Sequence, residues 1–377
     1  MKHKIYRIVY TALCCAPLLA TAQTSEKITS PQRLYEEGRN LFQQKAFAAV
    51  MSPLHTFVKQ INAEGNPLSA AGDKEEAEYM LVCAEYELRS PNSIELLRSY
   101  LDVYPDTPHA NRIYALIASA YFFEGKYDEA LAMFNSARLD LLSNEERDDM
   151  TYRLATCFLK TGNVKEAAIW FETLRSTGSK YAADCTYYLS YIRYSQQRYE
   201  DALSGFLSLQ DNTKYKTLVP YYIAEIYLIK KNYDKAEIVA QNYLSAYPNQ
   251  KYTGEMYRIQ GTADYYSGKY HEAAEAFNRY LKDNVESTRR RDALYMLGMS
   301  YYQTGVYSQV PVILGEVTTD NDALTQNAYL HMGLAYLQLA DRNKARMAFE
   351  QAAASDADQK IKEQASYNNA LCIHETS

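Results

Sequence analysis

The chain has 377 residues, of which 47% are hydrophobic, with 40 Lys and Arg against 46 Asp and Glu for a net charge of −6. That is more chain than one ordinary core can use, so several domains or an elongated repeat array are expected. The acidic balance disfavours nucleic acid and anionic lipid as partners, and 14 Gly with 10 Pro are too few turn residues for a sandwich or barrel.

Residues 1–22 read as a signal peptide. Lys2, Lys4 and Arg7 form a basic start, Ile8 to Ala20 an apolar core, and Ala20-Thr21-Ala22 a small-x-small cleavage site. Cleavage after Ala22 leaves Gln23 first. The apolar core is shorter than the roughly 20 residues a bilayer needs. Thr11-Ala12-Leu13 before Cys14 is a poor lipidation match. No later run is apolar enough to span a membrane, so no transmembrane segment is expected in the mature chain. Removing the signal takes away three cations and no anions, leaving 37 basic against 46 acidic side chains and a net of −9. The chain is expected to be exported, and to be periplasmic or associated with the outer membrane.

Residues 23–30 are expected to be a flexible start. Ser30-Pro31 is an N-cap followed by a proline suited to the first helical position. Two divergent helical hairpins are predicted over 31–106. The first, LYEEGRNLFQQKAFAAVMSPLHTFVKQ (Leu34–Gln60), places Gly38, Leu41, Phe47 and Leu54 at repeat-like offsets. A loop at 62–73 joins it to the second, with Asp73 and Glu76 as a capping box. Ser143 with Glu146 makes another.

From 107 to 362 seven repeats are predicted. YFFEGKYDEALAMF (Tyr121–Phe134) is echoed by YYSGKYHEAAEAF (Tyr265–Phe277) and YYQTGVYSQVPVIL (Tyr301–Leu314). The pairs Tyr127/Ala130, Val164/Ala167, Tyr199/Ala202, Tyr233/Ala236, Tyr270/Ala273, Tyr307/Val310 and Arg342/Ala345 set a period of 34 to 37 residues. Such a period with helical spacing inside it indicates stacked helical hairpins. Tyr114, Ile117, Ala118 and Tyr121 form one apolar face. Gly125 sits where that helix must stop in a left-handed residue. A small residue such as Ala130 lets the second helix approach, and Phe134 fills the space beside it. ASYNNALCIHETS (Ala365–Ser377) repeats a first-helix pattern, so 363–377 is expected to be a terminal helix. It is either a cap or the first helix of a further repeat, and its apolar Tyr367, Leu371 and Ile373 favour the second.

These motifs resemble the tetratricopeptide repeat family, most closely in ALYMLGMSYYQTGVY (Ala293–Tyr307) and AYLHMGLAYLQLADRNKARMAFEQAAASDAD (Ala328–Asp358). The small first-helix position is held by Ala118, Ala155, Ala224, Gly261, Gly298 and Gly333. The second-helix aromatic is held by Phe134, Phe171, Phe206, Phe277 and Phe349. Gln197, Lys231 and Ala340 replace the turn glycine. The endings SYLDVYPDTP and NYLSAYPNQ are similar to repeats of periplasmic members that serve envelope assembly. The resemblance implies an all-α fold, a right-handed superhelical solenoid of antiparallel helix hairpins whose first helices line a concave groove.

No chemistry-bearing motif accompanies the repeats. His3, His55, His109, His271, His331 and His374 are scattered, and no zinc, calcium, phosphate-loop or nucleophile-elbow pattern occurs. Neither catalytic residues, a cofactor nor a metal is expected. Acidic pairs such as Asp128-Glu129 and Glu200-Asp201 start second helices and suit their dipoles. Arg289-Arg290-Arg291 reads as a solvated helix start. Cys157 and Cys185 replace small apolar residues, so the four cysteines after residue 22 read as buried free thiols rather than two disulfides.

The remaining candidate is a surface. Positions that face the groove in the resembled fold are Phe122, Tyr152, Tyr187, Tyr191, Tyr194, Tyr221, Tyr265, Tyr295 and Tyr302, with Leu228, Leu330 and Leu337 as apolar neighbours. With 37 Tyr in the chain, two readings stand: these rings pack hairpins together, or they anchor a ligand. The expected role is a non-catalytic envelope scaffold that binds a partner protein, through a peptide segment or an assembly component. The alternative is an accessory binder of peptidoglycan or polysaccharide, against which the single Trp170 weighs.

Overall fold

The computed structural model describes residues 30–65, 67–283 and 288–374. The expected signal at 1–22 lies outside them. Nineteen α-helices and two 3-10 turns make up the described residues, which contain no strand. The chain divides into two compact units at Glu124/Gly125.

The first unit holds α1 (Pro31–Gln43), α2 (Phe47–Ala63), α3 (Ala71–Glu87), α4 (Ser93–Val103) and α5 (Ala110–Phe123). Ser30 is the N-cap of α1, with Pro31 in its first turn. The connector is shorter than expected. Helix α2 runs to Ala63, and a 3-10 turn at Leu68–Ala70 leads straight into α3. Asp73 therefore lies inside the first turn of α3 and caps nothing. Glu76 instead meets His109 Nε2 at 2.7 Å.

The second unit alternates first and second helices. They are α6 (Tyr127–Ser136), α7 (Asn144–Lys160), α8 (Val164–Ser176), α9 (Ala182–Ser195), α10 (Tyr199–Ser208), α11 (Val219–Ile229), α12 (Tyr233–Ala246), α13 (Thr253–Tyr266), α14 (Tyr270–Asp283), α15 (Arg290–Gln303), α16 (Val310–Gly315), α17 (Ala323–Gln338), α18 (Arg342–Ala354) and α19 (Gln359–His374). From α6 to α19 each helix packs on the next, and from α11 onward each first helix also touches the following first helix. The terminal helix starts four residues before the expected 363.

The predicted small positions are the points of closest packing. Ala130, Ala167, Ala202, Ala236, Ala273 and Ala345 are all fully buried, as is Val310. Phe171, Phe206, Phe277 and Phe349 are also at zero exposure, each contributing about 1.5–3 kcal/mol of apolar burial. A Cβ on Gly333 would stand 2.5 Å from the Phe349 ring, so only glycine lets α17 and α18 approach this closely. Gln197, Lys231 and Ala340 have φ of 61°, 57° and 59°, the left-handed turn that Gly125, Gly162, Gly268 and Gly305 make elsewhere. Ser143, Asn163, Asn232, Asp322 and Asp341 accept a first-turn N–H with their side chains, fixing where α7, α8, α12, α17 and α18 begin.

All four described cysteines are buried free thiols. Burial pushes the Cys157 and Cys185 thiols up to about 12, so both stay protonated and inert. The arginine run does not simply solvate a helix start. Arg289 pairs with Glu225, Arg290 with Glu316, and Arg291 makes a two-pronged contact with Asp322 at 2.6 and 2.7 Å. Arg289 and Arg291 tie α15 to other hairpins and Arg290 ties it to the end of its own hairpin's second helix, which local sequence context does not reveal.

Candidate partner-binding site

The repeat period places a tyrosine at the same position of three successive first helices: Tyr152 in α7, Tyr187 in α9 and Tyr221 in α11. Each lies flat against a tyrosine that precedes the next first helix. Tyr152 stacks on Tyr181 at 4.3 Å between centroids, Tyr187 on Tyr215 at 4.9 Å, and Tyr221 on Tyr252 at 4.7 Å. Such pairs contribute about 0.5–1.5 kcal/mol beyond their area. The carboxylate three residues before the helical tyrosine takes the polar end of its partner. Tyr181 donates to Asp149 at 3.0 Å, and Tyr215 donates to Asp184. Lys180 and Lys214 pair with the same two carboxylates. The first unit repeats the arrangement, with His109 stacked on Tyr79 at 3.7 Å and reaching Glu76.

A second row locks these rungs to the core. Tyr188 stacks on Phe171 and Tyr222 on Phe206. Tyr222 also meets Tyr187, Tyr191, Tyr194 and Tyr221 edge to face, at 5.2 to 6.3 Å. Burial raises the phenol pKa of Tyr187, Tyr194 and Tyr221 above the ordinary range, so these hydroxyls remain neutral donors.

At the next rung the chemistry changes. Arg258 occupies the position of Tyr152, Tyr187 and Tyr221, and Arg289 that of Tyr181, Tyr215 and Tyr252. Both guanidinium groups converge on Glu225, whose side chain is 5% exposed, and Glu255 takes Arg258 Nε at 2.7 Å. Two cations and two carboxylates thus replace one aromatic stack.

The remaining candidates are placed as follows. Tyr265 meets Tyr266 and Tyr270 edge to face. Tyr295 donates to Asn327 at 2.9 Å, its phenol pushed up to about 12 by burial. Tyr302 contacts Tyr307 and His331. Burial lowers the His331 pKa, and its Nδ1 lies 3.0 Å from the carbonyl of Asn327 on its own helix. Phe122 lies in the first unit, edge to face with Phe123. Leu330 is a core residue at 2% exposure and does not belong to any surface. Tyr191 alone of the nine candidates is exposed rather than half-buried.

The sequence reading missed Tyr181, Tyr215 and Tyr252, and with them Asp149, Asp184, Glu225, Arg258 and Arg289. A signal was present: the triplets SKY, TKY and QKY end at residues 181, 215 and 252, spaced like the repeats. Among the described residues no group of His, Cys, Asp and Glu could hold a metal ion, and no helix is long and apolar enough to cross a membrane.

Hairpin stacking, a small-residue contact in every unit and an aromatic row on the first helices define a helical repeat protein. Residues 116–182 and 260–308, and separately 326–359, match the tetratricopeptide repeat family, so the chain carries repeats of that type. No curated protein is significantly similar. Among solved structures, the C-terminal part of a tetratricopeptide repeat-containing protein from Cytophaga hutchinsonii is 17% identical over 66% of this chain and 98% of that one, with a TM-score of 0.50. A tetratricopeptide repeat protein from Parabacteroides merdae is 16% identical over 69% and 99%, TM-score 0.44. YrrB, described as a tetratricopeptide protein with an unusual peptide-binding site, is 18% identical over 52% and 97%, TM-score 0.45. At these identities the likeness is one of fold.

Proposed function

We propose that the chain is a non-catalytic scaffold of the bacterial envelope, holding an extended segment of a partner protein against the concave side of its first helices. The observation that carries this reading is Tyr191. It is 39% exposed and meets Tyr222 edge to face, on the helix that also carries Tyr187, while Tyr187 and Tyr221 are fixed by stacking. A rigid aromatic surround with one open ring suits an interface anchor, since little side-chain freedom remains to be lost. The adjoining Glu225–Arg258–Arg289 rung adds polar groups that can set the register of a bound chain.

The geometry favours peptide over glycan. A sugar ring binds best on an open aromatic face, and the faces of Tyr152, Tyr187 and Tyr221 are each covered by another tyrosine. Absence of catalysis is supported by His331, which burial keeps neutral and whose ring is bound to its own helix. Export rests on the basic start, apolar core and cleavage site of residues 1–22. N-terminal sequencing of protein from the envelope fraction is expected to begin at Gln23.

The binding test is a photo-crosslinking amino acid placed at position 191 of the exported protein, with position 169 as control, since Ile169 is 57% exposed on a second helix. A discrete protein adduct from position 191 and none from 169 is the expected result. Equal adducts at both positions, or none at either, would remove the groove reading.

A further inference from the structure

The first unit carries a cleft unrelated to the tyrosine row. It opens between α2 and α4 over α3 and has a volume of about 280 Å³. Its floor is one face of α3, where Glu78, Leu81, Val82 and Glu85 follow at i, i+3, i+4 and i+7. That stripe reads acidic, apolar, apolar, acidic. Leu96 and Val103 of α4 form one wall, 37% and 64% exposed, and Val58 of α2 stands opposite.

Negative charge accumulates here. His55 is the one basic side chain among the lining residues. On the same helix, one carboxylate oxygen of Glu75 is buried without a hydrogen-bond partner among the described residues. Tyr104 donates to Glu78 at 2.6 Å. Burial is the main cause that raises the Tyr104 phenol, and the hydrogen bond and charge of Glu78 and the charge of Glu75 raise it further. Tyr100, which lines the cleft, is pushed up to about 12, chiefly by burial, with Glu75 and Glu76 adding to it. The exposed apolar walls are costly in water, and the carboxylates beside them give the cleft a negative rim.

We propose that this cleft is a second docking site, which takes a basic amphipathic segment of a partner protein presenting two large apolar side chains bracketed by lysine or arginine. Its open apolar walls, Leu96 and Val103, suit the side-chain anchors of a docked segment. Its acidic rim repels anionic lipid and nucleic acid and steers a cationic helix. A helix with basic–apolar–apolar–basic spacing lays its apolar pair over Leu81 and Val82 and its cations over Glu78 and Glu85.

The test is fluorescence anisotropy of the full chain with a labelled synthetic helical peptide carrying a K-x-x-L-L-x-x-K core, at low and physiological salt. Saturable binding that weakens with salt is expected. The pair Glu78→Gln and Glu85→Gln should weaken it about tenfold and remove the salt dependence, as two partly exposed charge pairs allow. Leu96→Asp should abolish it. Should Leu96→Asp lose its circular dichroism, Val103→Asp at the more exposed wall serves in its place. Tyr191→Ser should leave binding unchanged. No binding by the wild type, equal binding of a peptide with glutamate for lysine, or loss of binding in Tyr191→Ser would each overturn the proposal.

Discussion

Tyr215 donates its phenol to Asp184 while its ring lies against Tyr187 at 4.9 Å, so one side chain joins α9 to the turn that enters α11. The ring supplies dispersion and the hydroxyl supplies direction. Asp184 is 7% exposed and also holds Lys214, which makes it a buried carboxylate with two donors.

Removing the donor and removing the acceptor should therefore differ. Tyr215→Phe keeps the stack and loses one hydrogen bond to a charged group, costing about 1.5–3 kcal/mol. Asp184→Ala loses two interactions: the buried Tyr215 hydroxyl is left without its acceptor, at about 1–3 kcal/mol, and Lys214, whose side chain is 63% exposed, gives up an ion pair worth at most about 1 kcal/mol. Repeat arrays unfold in segments, so hydrogen exchange at α9 to α11 is the suitable measurement. The order Asp184→Ala worse than Tyr215→Phe, with the loss confined to those helices, is expected. A uniform loss across α6 to α19 would contradict the local account.

The hairpin turns yield a prediction of opposite sign. Gln197, Lys231 and Ala340 adopt the left-handed conformation at about 1–2 kcal/mol each, which glycine avoids while losing about 0.5–1 kcal/mol to the greater freedom of its unfolded chain. Gln197→Gly, Lys231→Gly and Ala340→Gly should each raise the urea midpoint, by about 0.5–1 kcal/mol of stability. Gly268→Ala at the equivalent turn should lower it by a similar amount. Loss of stability in all three glycine variants would mean that these side chains make contacts worth more than the strain.

Those turns were legible in the sequence because the period aligns them without knowledge of any partner. The buried alanines and phenylalanines were legible for the same reason: each repeats inside its own hairpin. What the sequence hid is what crosses between hairpins. Tyr181, Tyr215 and Tyr252 belong to turns, and a turn tyrosine carries no helical period to show which ring it meets. The arginine run misled for a related cause. Three adjacent cations look alike in sequence, yet Arg289 reaches Glu225, Arg290 reaches Glu316 and Arg291 reaches Asp322. The capping box expected at Asp73 failed because α3 begins three residues earlier, with Ala70 at the N-cap, from a 3-10 turn that local propensity did not announce.

Asp264 makes stability depend on pH. It is fully buried in α13, with neither carboxylate oxygen hydrogen-bonded among the described residues. Burial raises its pKa to about 7; Glu237 of α12 and Glu272 of α14 add to the rise, while Lys269 opposes it. An unfolded aspartate titrates near 3.9, so the folded state binds the proton more tightly and stability falls as pH rises from about 4 to 7. The ceiling is about 4 kcal/mol, at roughly 1.4 kcal/mol per unit. His331, whose pKa is lowered, acts the other way and loses stability below about pH 6.5. The decisive quantity is thus the difference between wild type and Asp264→Asn. The variant should gain most at pH 8 and about a third of that at pH 5. An Asp264→Asn gain that does not change with pH would show that the carboxyl does not titrate in this window.

The charged rung supplies the last test. Arg258 is only 6% exposed and Glu225 4%, and Glu225 also pairs with Arg289, where the neighbouring rungs hold paired tyrosines. Arg258→Ala leaves Glu225 in a low-dielectric site with half its compensation, a loss of about 3–5 kcal/mol. Replacing the ions together is different, because the desolvation cost of every charge is then removed. Arg258→Tyr with Arg289→Tyr and Glu225→Thr recreates the pattern of the Tyr187–Tyr215 rung, with the small polar residue that stands at Thr156 and Thr262 in other first helices. The triple variant should recover most of the stability lost in Arg258→Ala, as read from the urea midpoint and from hydrogen exchange at α13 and α15. If the recovered protein also keeps the crosslink from position 191, the ions serve the fold. If it folds and loses the crosslink, the rung belongs to the binding surface, and the break in an otherwise aromatic row is the place where a partner is read.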